Sequence, residues 1–108
     1  MRFVNLTPHK IVIRTAEGDI EIEPSGMIAR AITVETPAEP INGIPTIRRD
    51  FGEIKGLPAP EPDTVYIVSS IALSAVGSRN DVVAPDTGPT AIRDEEDRIV
   101  AVTRLVRP

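Results

Sequence analysis

The sequence predicts a β-rich α+β fold: a mostly antiparallel sheet of about six or seven strands with one short helix near residues 70–77. Three observations carry this. Apolar residues recur with period two in the first third of the chain, at Ile11 and Ile13 and again at Ile20 and Ile22, the mark of strands with one buried and one wet face. A single segment, Ser69 to Gly77, combines a capping residue, helical spacing and a closing glycine. The crossover helices that a parallel sheet requires have no counterpart elsewhere. A length of 108 residues fits one domain over 1–108, because a second core would be too small to hold itself together.

The elements follow in order. Phe3 to Leu6 is a short strand that ends at the turn Thr7-Pro8-His9. A hairpin follows. With Glu17-Gly18 as its turn, Ala16 pairs with Asp19 and Ile13 faces Ile22, apolar against apolar. Pro24-Ser25-Gly26 breaks it. Met27 to Val34 is apolar on both faces apart from Arg30 and Thr33 and reads as a covered strand. Thr36 to Pro45 holds three prolines, which lack the ladder N–H, so it reads as an arm, an edge or a loop. Within it, Asn42-Gly43 signals a type I′ turn. Ile44, Thr46, Ile47 and Phe51 make a shorter strand, and Gly52 to Pro62 a polyproline-II connector on the surface.

Thr64 to Val68 is β-branched, aromatic and apolar on both faces, hence a central strand. The helix after it sets Ile71 against Ala75 and Ala72 against Val76 at i,i+4. Val65, Ile67, Ile71 and Leu73 are therefore expected in one core. Arg79 to Pro89 reads as a polar loop. Ala91 to Arg93 and Arg98 to Val106 are β-rich flanks of Asp94-Glu95-Glu96-Asp97, which reads as a solvated hairpin tip.

Composition narrows the function. With no cysteine, disulfides, thiol catalysis and cysteine-ligated metal sites are excluded. No apolar run approaches the roughly 20 residues that cross a bilayer, and the charged, proline-containing start does not read as a signal peptide. A cytoplasmic chain that touches no membrane is expected. The net charge is −4, with six basic and eight acidic side chains in each half. That balance, with only three aromatic residues, argues against nucleic acid as a partner. Ten of the twelve bases are Arg, which suits bidentate contact with carboxylate or phosphate but also surface ion pairs.

Four segments could carry chemistry. The strand–Ser69-Ser70–helix junction offers hydroxyls and free N–H groups to an anion, or simply a helix cap. It lacks the glycines of a phosphate loop. Arg79-Asn80-Asp81 and Asp86-Thr87 gather charge, amide and hydroxyl after the helix, although Asp86 also suits an Asx-turn into Gly88. Asn5 and His9 bracket the first turn. His9 is the sole histidine, yet no Gly-x-Ser-x-Gly elbow surrounds the serines, so a hydrolytic triad has no support in spacing. The acidic tetrad lacks the alternating ligands of a calcium loop. No metal and no cofactor is implied.

Val4 to His9, Phe51-Gly52-Glu53 with Gly56-Leu57-Pro58, Tyr66 to Ser70, and Asp81 to Gly88 resemble, in the same order and over nearly the full length, a family of small uncharacterised bacterial and bacteriophage proteins. The resemblance implies a stand-alone cytoplasmic protein and carries no catalytic residue.

The expectation is a binding protein without turnover, taking a small anionic, nucleotide-like or carboxylate ligand between Ser69-Ser70 and the Arg79–Gly88 loop. The alternative is a protein–protein interaction factor of phage or prophage origin that uses its proline-rich segments as contact arms. A hydrolase comes third. A small, aromatic-poor chain buries limited apolar area, so a homo-oligomer is expected.

Overall fold

A computed structural model describes all 108 residues. Ten strands and one helical turn follow in chain order: β1 Arg2–Asn5, β2 Ile11–Thr15, β3 Gly18–Ile22, β4 Arg30–Ile41, β5 Ile44–Lys55, β6 Thr64–Ile67, α1 Ser70–Leu73, β7 Val82–Pro85, β8 Ile92–Arg93, β9 Ile99–Ala101 and β10 Leu105–Val106. The fold is β-rich with one short helix, as expected, but its strands are more numerous and sit in small sheets.

The central sheet has the order β1-β6-β7-β10. β6 lies between β1 and β7, so both of its edges are paired, and a core cluster covers each of its faces. Tyr66 and Val68 join Leu6, Ala29, Ala72 and Val82 on one side. Ile67 joins Ile11, Ile13, Val83 and Val102 on the other. That explains why this segment is apolar without alternation: every position meets a core. Each such aliphatic side chain withdraws from water with about 1.5–3 kcal/mol of stabilisation.

Most pairings are antiparallel (β2–β3, β4–β5, β8–β9 and β7–β10), but β1–β6 and β6–β7 are parallel. The lack of long helices therefore excludes less than expected. The β6-to-β7 crossover is made by α1 and an irregular loop, and the β1-to-β6 connection contains the whole of β2–β5.

Several expectations need correction. The β2–β3 hairpin pairs Ile13 with Ile20 and Ile11 with Ile22, and Thr15 with Gly18. The turn is Ala16-Glu17, two residues away from the expected register. A slip of two keeps every side chain on its face, so periodicity alone does not choose between the two. In the observed register Arg14 Nε donates to Asp19 Oδ1 at 2.9 Å; the alternative would have set Arg14 opposite Glu21, also an acid. Arg79 to Pro89 is not all loop, because β7 lies within it and Val82, Val83 and Ala84 are buried. α1 is one turn, extended by i→i+3 bonds from Ala75 N to Ala72 O and from Val76 N to Leu73 O. Gly77 then closes it at φ 80°. Ala72 faces the core, whereas Ile71 points outward and is 59% exposed; a single turn has one inward face, and Ala72 occupies it. Val65 and Leu73 are half-buried.

The largest departure is the β4–β5 hairpin. Met27 to Val34 is not a covered strand: Met27, Ile28 and Val34 are exposed, and only Ala29 is buried. Pro37 does not break pairing: it sits opposite Ile47 in a ladder that runs from Arg30–Lys55 to Ile41–Ile44, with one irregularity between Ala31 and Thr33 and a second between Ala38 and Ile41, where Pro40 lies. Asn42 and Gly43, at φ 50° and 78°, turn the tip as a type I′ turn requires. At the base, Ile54 and Leu57 pack on the core, and a Cβ on Gly56 would collide with the Ile28 carbonyl oxygen. Beyond the base, the strands stand in solvent. The radius of gyration is 16.4 Å, against about 13 Å for a compact chain of this length; the arm accounts for the excess.

The proline-rich stretch after β5 is tied down by two side chains. Tyr66 Oη donates to the Ala59 carbonyl at 3.1 Å, and Arg79 Nη1 to that of Pro58 at 3.1 Å. No helix is long and apolar enough to cross a membrane.

Candidate functional site

A cavity of about 490 Å³ opens on the side of the sheet away from the arm's base, where four separate stretches meet. The first is the β1–β2 turn with Thr7, His9 and Lys10. The second is Ser69-Ser70-Ile71, the third is Pro85 with Thr87, and the fourth is β9, through Ile99 and Val100.

The turn is built from beneath by Asn5. Its buried side chain donates through Nδ2 to the His9 carbonyl at 2.8 Å and to that of Ile22 at 3.1 Å. Its Oδ1 accepts from Thr7 N at 2.9 Å and Thr7 Oγ1 at 2.7 Å. Every hydrogen-bonding group of the amide is engaged with the chain. Asn5 therefore positions the turn that carries His9 and Lys10 and makes no part of the cavity wall. Lys10 Nζ reaches Glu21 Oε1 at 2.8 Å, and that hydrogen bond together with the carboxylate's charge raises the lysine pKa.

Ser69 Oγ accepts from Ala72 N at 3.1 Å and caps α1. Ser70 stands next to it on the exposed wall. The cavity floor and the opposite wall are apolar, and Ile71, Ile99 and Val100 line it while remaining exposed. Of the chain's sixteen carboxylates, none lines the cavity.

The residues singled out in the sequence divide into two groups. Ser69, Ser70, Thr87 and His9 meet at the cavity. Arg79, Asn80, Asp81 and Asp86 do not. Arg79 makes a bidentate pair with Asp81 (Nε to Oδ1 2.9 Å, Nη2 to Oδ2 2.6 Å), and its ring-facing guanidinium lies 6.0 Å from the Tyr66 centroid. With the Pro58 carbonyl as its third acceptor, Arg79 braces the proline-rich stretch over β6. Its hydrogen bonds hold the Asp81 carboxyl below the usual carboxylate range. Asn80 is exposed and offers its carbonyl to Arg107. Asp86 makes the expected Asx-turn to Gly88 N at 3.0 Å and accepts from Arg104 Nε at 2.6 Å. The Arg104 bond, followed by that turn, lowers its pKa. This pair braces β7 beside β10.

Most of the lining was missed by the sequence reading, including Lys10, Ile71, Ile99 and Val100. A signal exists for the last two: they are consecutive apolar residues in a strand, where a single covered face requires only every second one.

With the architecture and the cavity described, the chain classes as a small β-rich protein with one mostly apolar pocket and a projecting hairpin. Comparison with profiles of protein families, with curated proteins and with solved structures returns no match.

Proposed function

We propose that the chain is a non-catalytic binding protein whose cavity takes a small ligand with an apolar body and an anionic edge, such as a nucleotide-like or carboxylate metabolite. The observation that carries this reading is the lining itself. In an acidic chain, a cavity with apolar walls gathers Lys10, His9 and the hydroxyls of Ser70 and Thr87, with no carboxylate among them. The volume lies within the range of small-molecule sites, and such sites pair apolar walls with a few converging polar groups. Lys10 is shared with Glu21, so an incoming anion exchanges one partner for another and does not meet an uncompensated charge.

Binding is favoured over turnover for two reasons. Ser69 Oγ is already the cap acceptor for Ala72, and no carboxylate at the cavity orients His9 as a general base requires.

A thermal-shift screen of nucleotides, aliphatic carboxylates and phosphate esters tests this. A ligand at 100 times its dissociation constant adds about 2.7 kcal/mol of stability, a rise of several degrees in Tm for a chain of this size. Thr87→Trp, which fills the exposed mouth, abolishes that shift while leaving the ligand-free Tm in place. No shift with any member of the panel, or a shift indifferent to Thr87→Trp, overturns the reading.

A further inference from the structure

The cavity wall is as informative in what it lacks as in what it holds. No Arg and no Gly lines it, although the chain has ten arginines and seven glycines. A nucleotide's phosphates are met by bidentate guanidinium contacts or by free N–H groups in a glycine-rich turn at a helix start. Neither is present: α1 is a single turn, and its Ala72 N–H is taken by Ser69 Oγ. No Asn, Gln, Asp or Glu lines the cavity, so the edge of a base finds no amide or carboxylate to read it. Phe3, Phe51 and Tyr66 all lie elsewhere, and His9 is the one ring on the wall.

The charge at the site is small. Lys10 is the one Lys or Arg on the wall. Its Nζ lies 2.8 Å from Glu21 Oε1, and the charge of Glu23 also acts on it. Glu21 is paired across the hairpin with Val12, itself a wall residue, so this carboxylate stands at the rim beside the lysine. One negative charge on a ligand exchanges with Glu21. A second or third would meet Glu21 and Glu23 with no further lysine or arginine on the wall to answer it. The rest of the wall is aliphatic and wet. Ile71, Ile99 and Val100 come from α1 and β9 and remain exposed while facing one concavity. Branched side chains of this kind are covered by an apolar body that needs no stacking partner.

We propose that the ligand is an aliphatic monocarboxylate. Its head takes the place of Glu21 on Lys10, and its tail lies over Ile71, Ile99 and Val100. This rests on the cavity being a binding site, as proposed above, and keeps one class of the anions admitted there while discarding nucleotides.

Isothermal titration of the intact chain with butanoate, hexanoate and octanoate, each below its micelle concentration, tests this beside methyl octanoate, succinate and adenosine 5′-monophosphate. Affinity rises with tail length by about two- to fourfold per methylene, fourfold being the value for a methylene withdrawn fully from water. Methyl octanoate has the tail without the charge and binds at least about tenfold more weakly than octanoate, the loss of one charge-assisted hydrogen bond. Succinate and adenosine 5′-monophosphate bind more weakly than octanoate by a similar factor. Lys10→Met keeps the apolar stem and removes the charge. It weakens octanoate by about tenfold or more and erases the preference for octanoate over its ester. The Lys10–Glu21 pair is exposed, so the variant keeps its fold. Lys55→Met, at the base of the arm and outside the cavity, changes neither property. Affinity indifferent to tail length, or octanoate binding unchanged in Lys10→Met, overturns the proposal. If adenosine 5′-monophosphate or succinate binds as tightly as octanoate and loses that binding in Thr87→Trp, the cavity is a binding site and the monocarboxylate assignment is overturned. If no monocarboxylate binds, the assignment is overturned too, and the thermal-shift panel decides separately whether the cavity binds anything.

Discussion

β5 and β6 both carry β-branched and aromatic residues, β5 among charged ones, and these have opposite fates. Ile67 in β6 is fully buried, whereas Ile44 and Ile47 in β5 are half or more exposed. Both strands are β-branched and aromatic, and both are paired along their length. The difference lies in what stands above and below. β6 has a neighbour on each side and a core on each face. β5 has one neighbour and, beyond Ile54, no core. Strand propensity is a statement about fit to a pleated surface, and burial is a property of the surroundings.

The sharpest way to break this comparison is to remove the same atoms from both strands. Ile67→Ala costs about 2–5 kcal/mol, the range for large-to-small changes in a close-packed core, read as a lower midpoint in urea unfolding. Ile47→Ala changes stability by less than about 0.5 kcal/mol, as at ordinary surface positions. Equal effects in the two strands end the distinction.

Next in size is Arg79→Ala. It removes the bidentate partner of Asp81 and the bond to the Pro58 carbonyl, and costs about 1.5–3 kcal/mol, the scale of charged hydrogen bonds in a partly buried setting. The sequence reading assigned Arg79 to ligand affinity; the geometry moves its effect to stability. Acid titration checks the same pair. The folded-state pKa of Asp81 lies below its ordinary value. The stabilisation is therefore complete above the unfolded carboxylate's pKa of about 3.9 and is lost as pH falls through the lower folded value. Asp81→Asn flattens the acid limb of a stability-versus-pH curve; an unchanged limb contradicts the pairing.

Ser69→Ala is smaller, about 1 kcal/mol for a lost cap, and is measured by denaturant unfolding. Ser69→Asp retains most of the stability, because an aspartate also accepts from Ala72 N. If Ser69→Ala costs nothing, the hydroxyl is not working as a cap.

The effect confined to the smallest region is that of Gly43→Ala at the arm tip. Gly43 has φ 78°, a left-handed conformation that costs a residue with a Cβ about 1–2 kcal/mol. The strain falls on the arm, so hydrogen exchange quickens at Ile41 and Ile44 while β6 amides keep their protection. Faster exchange in β6 as well means that arm and body open together.

What was legible in the sequence was local. The unalternating apolar run of β6, the serine cap of α1, the Asn42-Gly43 turn and the hairpin around the acidic tetrad each depend on neighbours within a few residues. What was not legible depends on distant partners. Val82-Val83-Ala84 is too short to show a period and lies between polar residues, so only its seat beside β6 marks it as a strand. The register of β2 against β3 is ambiguous by two, and the prolines of β4 concealed a ladder that Pro37 does not interrupt and that shifts register only around Pro40. The cavity divides in the same way. Ser69, Ser70, Thr87 and His9 announce themselves by chemistry. Lys10, Ile99 and Val100 become neighbours of those residues only when β1, β6 and β9 come together.

The parallel pairing of β1 with β6 has a consequence for the order of assembly. Its partners, Arg2 with Thr64 through Asn5 with Ile67, stand about sixty residues apart, and contacts of such long sequence range are slow to form. During synthesis, β1 waits without a neighbour until β6 leaves the ribosome. The β4–β5 ribbon closes on a two-residue turn and needs nothing farther along the chain, and hairpins of this kind form in about 1–10 μs. The β2–β3 hairpin, which also closes on a two-residue turn, leaves the ribosome earlier still, so both ribbons await the strand that anchors them: Ile54 at the base of the arm packs on a core that includes Tyr66 of β6.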